Sequence, residues 1–347
     1  MLALVAYVLL LQIEAFPPLA AAVAGLSLWM ALWWMTEPVP LELTALLPMI
    51  VLPLIGLYPA KSAMMEACAP YANESVYFFL GGFGLGLAVE KTMLHRIGAL
   101  YLLRWAGANA NRVVAAFMLC TALLSMWINN TATTMLMLPL AMSVIATTDN
   151  PNFAKSILIG VAYAASIGGM GTLVGTAPNI FFTGFLRERG MEIGFWNWML
   201  VAMPVVAVLL VGCWVWMVWI LWPMKNLSIS VPGEWAREWK TTSQLNWQQR
   251  TTLIVFALAA ACWILRTPIL DLLENTPWHS RLAPANDAWI AMTALALLLV
   301  FPLGKPVLEW KDVDRIPWGV LLLFGGGLSL SNAITKSELD KQIGIAA

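Results

Sequence analysis

Apolar residues fill the chain in stretches of helix length separated by short polar connectors, and two of those stretches are interrupted in the middle. Taken in order, Ala20 to Met35 predicts a membrane span ending in Trp29, Trp33 and Trp34, a cluster suited to the membrane–water boundary. Thr36 to Pro40 turns the chain, Leu41 to Tyr58 predicts a return span kinked at Pro48 and Pro53, and Lys61 to Asn73 is a polar connector. Val76 to Val89 predicts another crossing. Residues 91–112 set Lys91, Arg96, Arg104 and Arg112 among Leu94, Ile97, Leu100, Tyr101 and Leu103, the pattern of an amphipathic helix at the cytoplasmic interface. Trp196 to Trp222, Thr251 to Leu265 and Ala288 to Pro302 predict further spans within residues 195–302, joined by a cytoplasmic linker over 225–250 and an external connector from Arg266 to Asp287. The N-terminal group of transmembrane helices covers residues 1–90, and its first apolar run, residues 1–13, lacks the basic region and cleavage site of a removable signal peptide.

The first interrupted stretch is residues 113–146. Its arms, Val113 to Ile128 and Ala132 to Ala146, are each shorter than the ~20 apolar residues that cross a bilayer, so they read as a re-entrant helical hairpin. Ser125, Asn129, Asn130, Thr131, Thr133 and Thr134 cluster about its tip. Backbone that leaves the helix at membrane depth must be buried in protein or face water, so the tip at Asn129, Asn130 and Thr131 is a candidate ligand site. The second interruption lies in residues 153–186, where Gly168, Gly169, Gly171, Thr172, Gly175, Thr176, Pro178 and Asn179 break a helix at its centre. Glycine and proline leave backbone amides and carbonyls unpaired there, and the ends of broken helices bind ions in many secondary transporters.

Composition places both interruptions in a membrane. Hydrophobic residues make up 61% of the chain and charged residues 11%, against roughly 25% charged in soluble domains. The net charge is zero, and the charges sit in the connectors, so no basic patch argues for nucleic acid. Cys68, Cys120, Cys213 and Cys262 are scattered singly and read as packing residues; His95 and His279 fall in separate connectors and form no metal or catalytic pair. Gly82, Gly84 and Gly86 lie inside an apolar span with no preceding strand, which favours close helix packing over a nucleotide loop. Glu37, Glu42 and Glu90 sit at predicted span ends, where solvated or capping roles compete with proton carriage.

Ser125-Met-Trp-Ile-Asn-Asn-Thr-Ala-Thr-Thr134, Tyr163-Ala-Ala-Ser-Ile-Gly-Gly169 and Gly175-Thr-Ala-Pro-Asn179 together resemble the divalent anion:sodium symporter family, which includes dicarboxylate and citrate carriers. Leu32 to Pro40, Phe79 to Gly82 and Ile316 to Gly327 extend the resemblance over nearly the whole chain. It implies an all-α polytopic membrane protein, an inverted-repeat secondary transporter working by alternating access in a bacterial inner membrane, and a homodimer. It also implies a sodium ion held between the hairpin tip and the broken helix. Oxygen ligands would come from Ser125, Asn129 and Asn130 with carbonyls near Thr176 and Ala177, supported by Gly175, Pro178 and Asn179. Asn130 and Thr131 would meet a carboxylate of a small anionic substrate, with C4-dicarboxylates such as succinate expected and citrate or sulfate as alternatives.

Two departures qualify that expectation. Asn129 stands where the family pattern has serine. The family also carries a second hairpin and loop in a second half, of which residues 316–347 resemble only the beginning, so the sequence also fits a membrane protein that binds without transporting. A membrane-embedded enzyme would need a nucleophile–base pair or metal cluster, and the sequence offers neither, whereas interhelical hydrogen bonding by Ser, Thr and Asn is the plainer competing account of the polar clusters.

Overall fold

A computed structural model describes residues 17–187, 190–191, 193–224, 227–229, 245–302 and 305–346. The apolar run at residues 1–13 and most of the linker expected over 225–250 lie outside them. Among the described residues the secondary structure is helical, and four helices are long and apolar enough to cross a membrane: Pro18–Thr36, Phe195–Leu221, Trp247–Leu272 and Trp318–Lys336. The chain divides into two compact units, residues 1–77 with 317–347, and residues 78–316.

The first unit contains α1 (Pro18–Thr36), α2 (Leu41–Ala45), α3 (Leu47–Val51), α4 (Ala63–Cys68) and, from the far end of the chain, α15 (Trp318–Lys336) and α16 (Leu339–Ala346). The span expected over Leu41 to Tyr58 is instead two five-residue helices followed by turns. The prolines account for it: Pro48 cannot donate to the carbonyl a turn back, and Pro53 cannot continue α3. Helix α15 packs on this broken segment through glycines. A Cβ at Gly326 would lie 2.2 Å from the Ala45 carbonyl oxygen, the same oxygen that accepts a 2.5 Å hydrogen bond from Tyr71.

The second unit holds most of α5 (Glu74–Lys91), then α6 (Leu94–Ala106), α7 (Ala110–Ser125), α8 (Asn130–Ile145), α9 (Pro151–Gly169), α10 (Ala177–Arg187), α11 (Phe195–Val215, continued by a π-turn over Trp216–Leu221), α12 (Trp247–Leu272), α13 (Pro277–Leu282) and α14 (Asp287–Val300). Asparagines start several of these helices, Asn129 at α8 among them. Asn109, Asn150, Asn246 and Asn286 each accept from backbone amides of the first turn that no helical carbonyl can reach.

Hydrogen bonds sort the second unit into two ends. At one, Ile229 donates to the Ala108 carbonyl before α7, Asn152 at the start of α9 donates to Pro223, and Gln249 in α12 donates to Thr92 after α5. Lys91 pairs with Asp312 and Arg315 with Glu90, which brings the 3-10 turn at Trp310–Arg315 to the same end. At the other end the Phe195 amide donates to Asp287, and Trp263 donates to the Asp287 carbonyl. Helices α7 and α8 therefore leave the first end and return to it, and their joining residues, 126–129, lie in the interior between the two ends. Buried Val114, Phe117, Met118, Met137, Ala141, Phe153, Ile157 and Val161 pack α7, α8 and α9 into one core.

Candidate functional site

The hairpin tip and the break between α9 and α10 meet. Helix α7 ends at Ser125, whose buried hydroxyl lies 2.7 Å from the Ala165 carbonyl oxygen on α9 and 2.8 Å from Asn130 Oδ1 on α8. The hydroxyl has one proton for two acceptors, so it can serve only one of them at a time, and lone pairs on Ser125 Oγ and Asn130 Oδ1 stay free beside the Ala165 carbonyl. More carbonyls face the same place. A Cβ at Gly169 would lie 2.4 Å from Asn130 Oδ1, and one at Gly175 would lie 2.4 Å from the Gly169 carbonyl oxygen and 2.9 Å from that of Ser125. Glycine at these two positions lets main-chain and side-chain oxygens crowd together without a methyl between them. A neutral, buried, oxygen-rich cradle of this kind fits a hard cation such as sodium.

The tip's polar residues divide by role. Asn129 caps α8, its side chain accepting from the Ala132 amide at 2.8 Å, so its oxygen already serves the backbone. Thr133 and Thr134 return their hydroxyls to the Ile128 and Asn130 carbonyls of their own segment. Asn130 and Thr131 occupy the first turn of α8, where backbone amides and the helix dipole favour an anion, and Thr131 is exposed.

In the loop after α9, the Thr176 carbonyl accepts from the Asn179 amide at 3.2 Å, which closes the turn into α10 at Ala177. Pro178 is exposed in that first turn. Buried Asn179 clamps the break: its side-chain amide donates to the Gly169 carbonyl at 2.9 Å and to that of Thr172 at 2.7 Å. The geometry thus brings Ser125, Asn130 and Gly175 together, while it gives Asn129, Thr176 and Asn179 structural hydrogen bonds of their own.

Sequence reasoning named Thr172 only as part of the helix break and gave no role to Trp127 or Trp198. Thr172 donates to the Met126 carbonyl and accepts from the Gly175 amide, tying loop to tip. Trp198 donates to the Met170 carbonyl at 2.9 Å. Trp127, just before the tip, stacks on Phe195 and Trp263 with ring centroids 5.8 and 5.9 Å away and meets Phe256 edge-on at 4.5 Å. The glycines near Thr172 and the tryptophan beside the asparagine pair are visible in the sequence, but their partners lie far along the chain. The α5 glycines serve the site too. A Cβ at Gly82 would strike Val174 in the loop at 2.5 Å, and one at Gly86 would lie 2.8 Å from the Trp127 carbonyl oxygen.

Comparison with known proteins identifies the family. Residues 31–347 match the family described as citrate transporter. The chain belongs to that family. It is 34% identical, over 97% of its length, to the sodium-dependent dicarboxylate transporter SdcS of Staphylococcus saprophyticus, and 33% identical, over 93%, to SdcS of Staphylococcus aureus strain USA300. It spans 66% and 64% of the length of these relatives. Membership identifies an integral membrane protein of a transporter family rather than an enzyme, consistent with the resemblance read from its motifs.

Proposed function

We propose that the chain carries the ion- and anion-binding centre of a sodium-coupled symporter for small divalent anions, with C4-dicarboxylates such as succinate as substrates and alternating access as the mechanism. The observation that carries the reading is the oxygen cradle where the hairpin tip meets the broken helix: the Ser125 hydroxyl has one proton for the Asn130 and Ala165 oxygens, and the Gly169 and Ser125 carbonyls crowd beside them. Sodium entering there would draw on lone pairs that these oxygens leave free. It would also set positive charge beside the first turn of α8, where Asn130 and Thr131 offer amide and hydroxyl groups to a substrate carboxylate. Coupling follows, because the cation and the anion would share Asn130. In this reading α7 and α8 form a hairpin that enters the membrane and returns, and Asn129 both caps α8 and borders the ion. The names of the SdcS relatives support the pairing of sodium with a dicarboxylate.

The family description favours one second reading, citrate as the substrate. Thermal unfolding of the purified chain separates the two. Succinate should raise the midpoint in sodium and leave it unchanged in potassium, and citrate should act more weakly. A larger shift with citrate would select the second reading. No shift with any anion in either salt would sink both.

A further inference from the structure

A cavity of about 580 Å³ lies between α6, α7 and α12, away from the oxygen cradle. That volume falls within the roughly 300–1,000 Å³ of small-molecule sites. Its walls are mainly apolar and aromatic, with His95 the polar exception: Gly98, Tyr101 and Leu102 from α6, Leu123 and Trp127 from α7 and the turn after it, and Phe256 from α12. The spacing of Gly98, Tyr101 and Leu102 puts all three on one face of α6. Gly98 leaves that face open, since a Cβ there would meet nothing within 4 Å.

Two observations say what fills it. The cavity is bordered by exposed residues, Tyr101 of the interfacial helix α6 at 62% and Leu123 of α7 at 45%, so its mouth lies on the outer surface. One turn beyond Tyr101, at the end of α6, Arg104 and Trp105 are exposed together, and no ion pair holds Arg104 among the described residues. A basic group with an aromatic neighbour at the mouth of an apolar slot matches an anionic lipid, headgroup outside and chain within. We propose that an anionic phospholipid binds here, its phosphate at Arg104 and one acyl chain passing Gly98 to end against Trp127. Phe256 and the Trp127 ring, 4.5 Å apart by their centroids, close the inner end. The lipid would thus brace Trp127 and Ile128 in the turn that leads to the hairpin tip, so the site is placed to bear on Asn130 through that turn.

The test is photolabelling in vesicles of phosphatidylcholine that contain a trace of phosphatidylglycerol with a diazirine near the end of one acyl chain. Peptides covering residues 94–102 and 120–128 should carry the label. Gly98→Trp fills the cavity and should reduce their labelling to the level given by a phosphatidylcholine probe, while labelling of the outward face of α11 stays constant. Arg104→Gln, which leaves the cavity intact, should reduce the preference for the glycerol lipid over the choline lipid. Equal labelling by both lipids in the unmodified chain would overturn the proposal, and so would labelling that survives Gly98→Trp in a variant of normal thermal stability. Neither readout depends on sodium or on a transported anion, so the lipid site and the symporter reading fail separately.

Discussion

Gly175 is the residue on which the oxygen cradle turns, because any side chain there must displace main chain rather than a flexible neighbour. Gly175→Ala would press a methyl against the Gly169 and Ser125 carbonyls, an overpacking that costs about 1–3 kcal/mol. The sodium-dependent rise in unfolding midpoint should vanish in this variant while the protein still folds, and an undiminished rise would move the ion elsewhere. Asn130→Ala should weaken sodium and anion binding together, since Asn130 borders both. Asn129 tests a different chemistry. Serine caps a helix about as well as asparagine, so Asn129→Ser should keep α8 intact while its smaller side chain strengthens sodium binding, whereas Asn129→Ala should cost about 1 kcal/mol of stability through the lost cap. Titrating sodium against the unfolding midpoint of each variant checks both outcomes. The cluster of polar residues was plain in the sequence, yet the sequence left the division of labour open. Capping by Asn129 follows from local geometry, but the reach of Thr172 to Met126 or of Ser125 to Ala165 spans some forty residues and exists only once the helices pack.

At the scale of elements, apolar runs predicted the longer helices, such as the one that forms α1, and polar interruption predicted the breaks around Asn129 and Gly175. The segment from Leu41 to Tyr58 was harder to read. Its hydrophobicity matches a span, and whether prolines kink a helix or end it depends on the packing around the segment, where the α15 glycines lie against Glu42 and Ala45 just before Pro48. Charged connectors were legible as connectors but not as partners. Asp312 illustrates this: burial alone would raise its pKa, but hydrogen bonds from Lys91 and the Glu309 amide, together with the Lys91 and Lys311 charges, hold it below the usual aspartate range. A carboxylate with a depressed folded pKa stabilises above its unfolded pKa and loses that contribution as pH falls through the folded value. The unmodified chain should therefore lose midpoint on acidification below about pH 4, the ordinary aspartate pKa, and Asp312→Asn should be less stable at neutral pH and show a shallower loss in acid. Parallel pH profiles for the two proteins would contradict this.

For the whole molecule the open question is the side from which the hairpin is reached, and the second unit supplies the means to answer it. Lys91, Arg104, Arg112, Lys155, Lys305, Lys311 and Arg315 belong to segments at or near the end from which α7 and α8 depart, whereas Arg187 at the end of α10, Arg266 and Arg281 belong toward the opposite end, so the bias is consistent but modest. Positive charge in short connectors favours the cytoplasmic side, so the hairpin should enter from the cytoplasm. The ion pairs strengthen the inference, because Lys91 with Asp312 and Arg315 with Glu90 fix two distant connectors to one side. In a chain whose four cysteines are replaced, Lys311→Cys and Ser280→Cys mark the two ends with exposed positions. A membrane-impermeant maleimide added to right-side-out vesicles should label Ser280→Cys at once and Lys311→Cys only after permeabilisation. The opposite pattern would mean that the hairpin opens outward, and that sodium and its anion reach Asn130 from the external face when the tip is exposed.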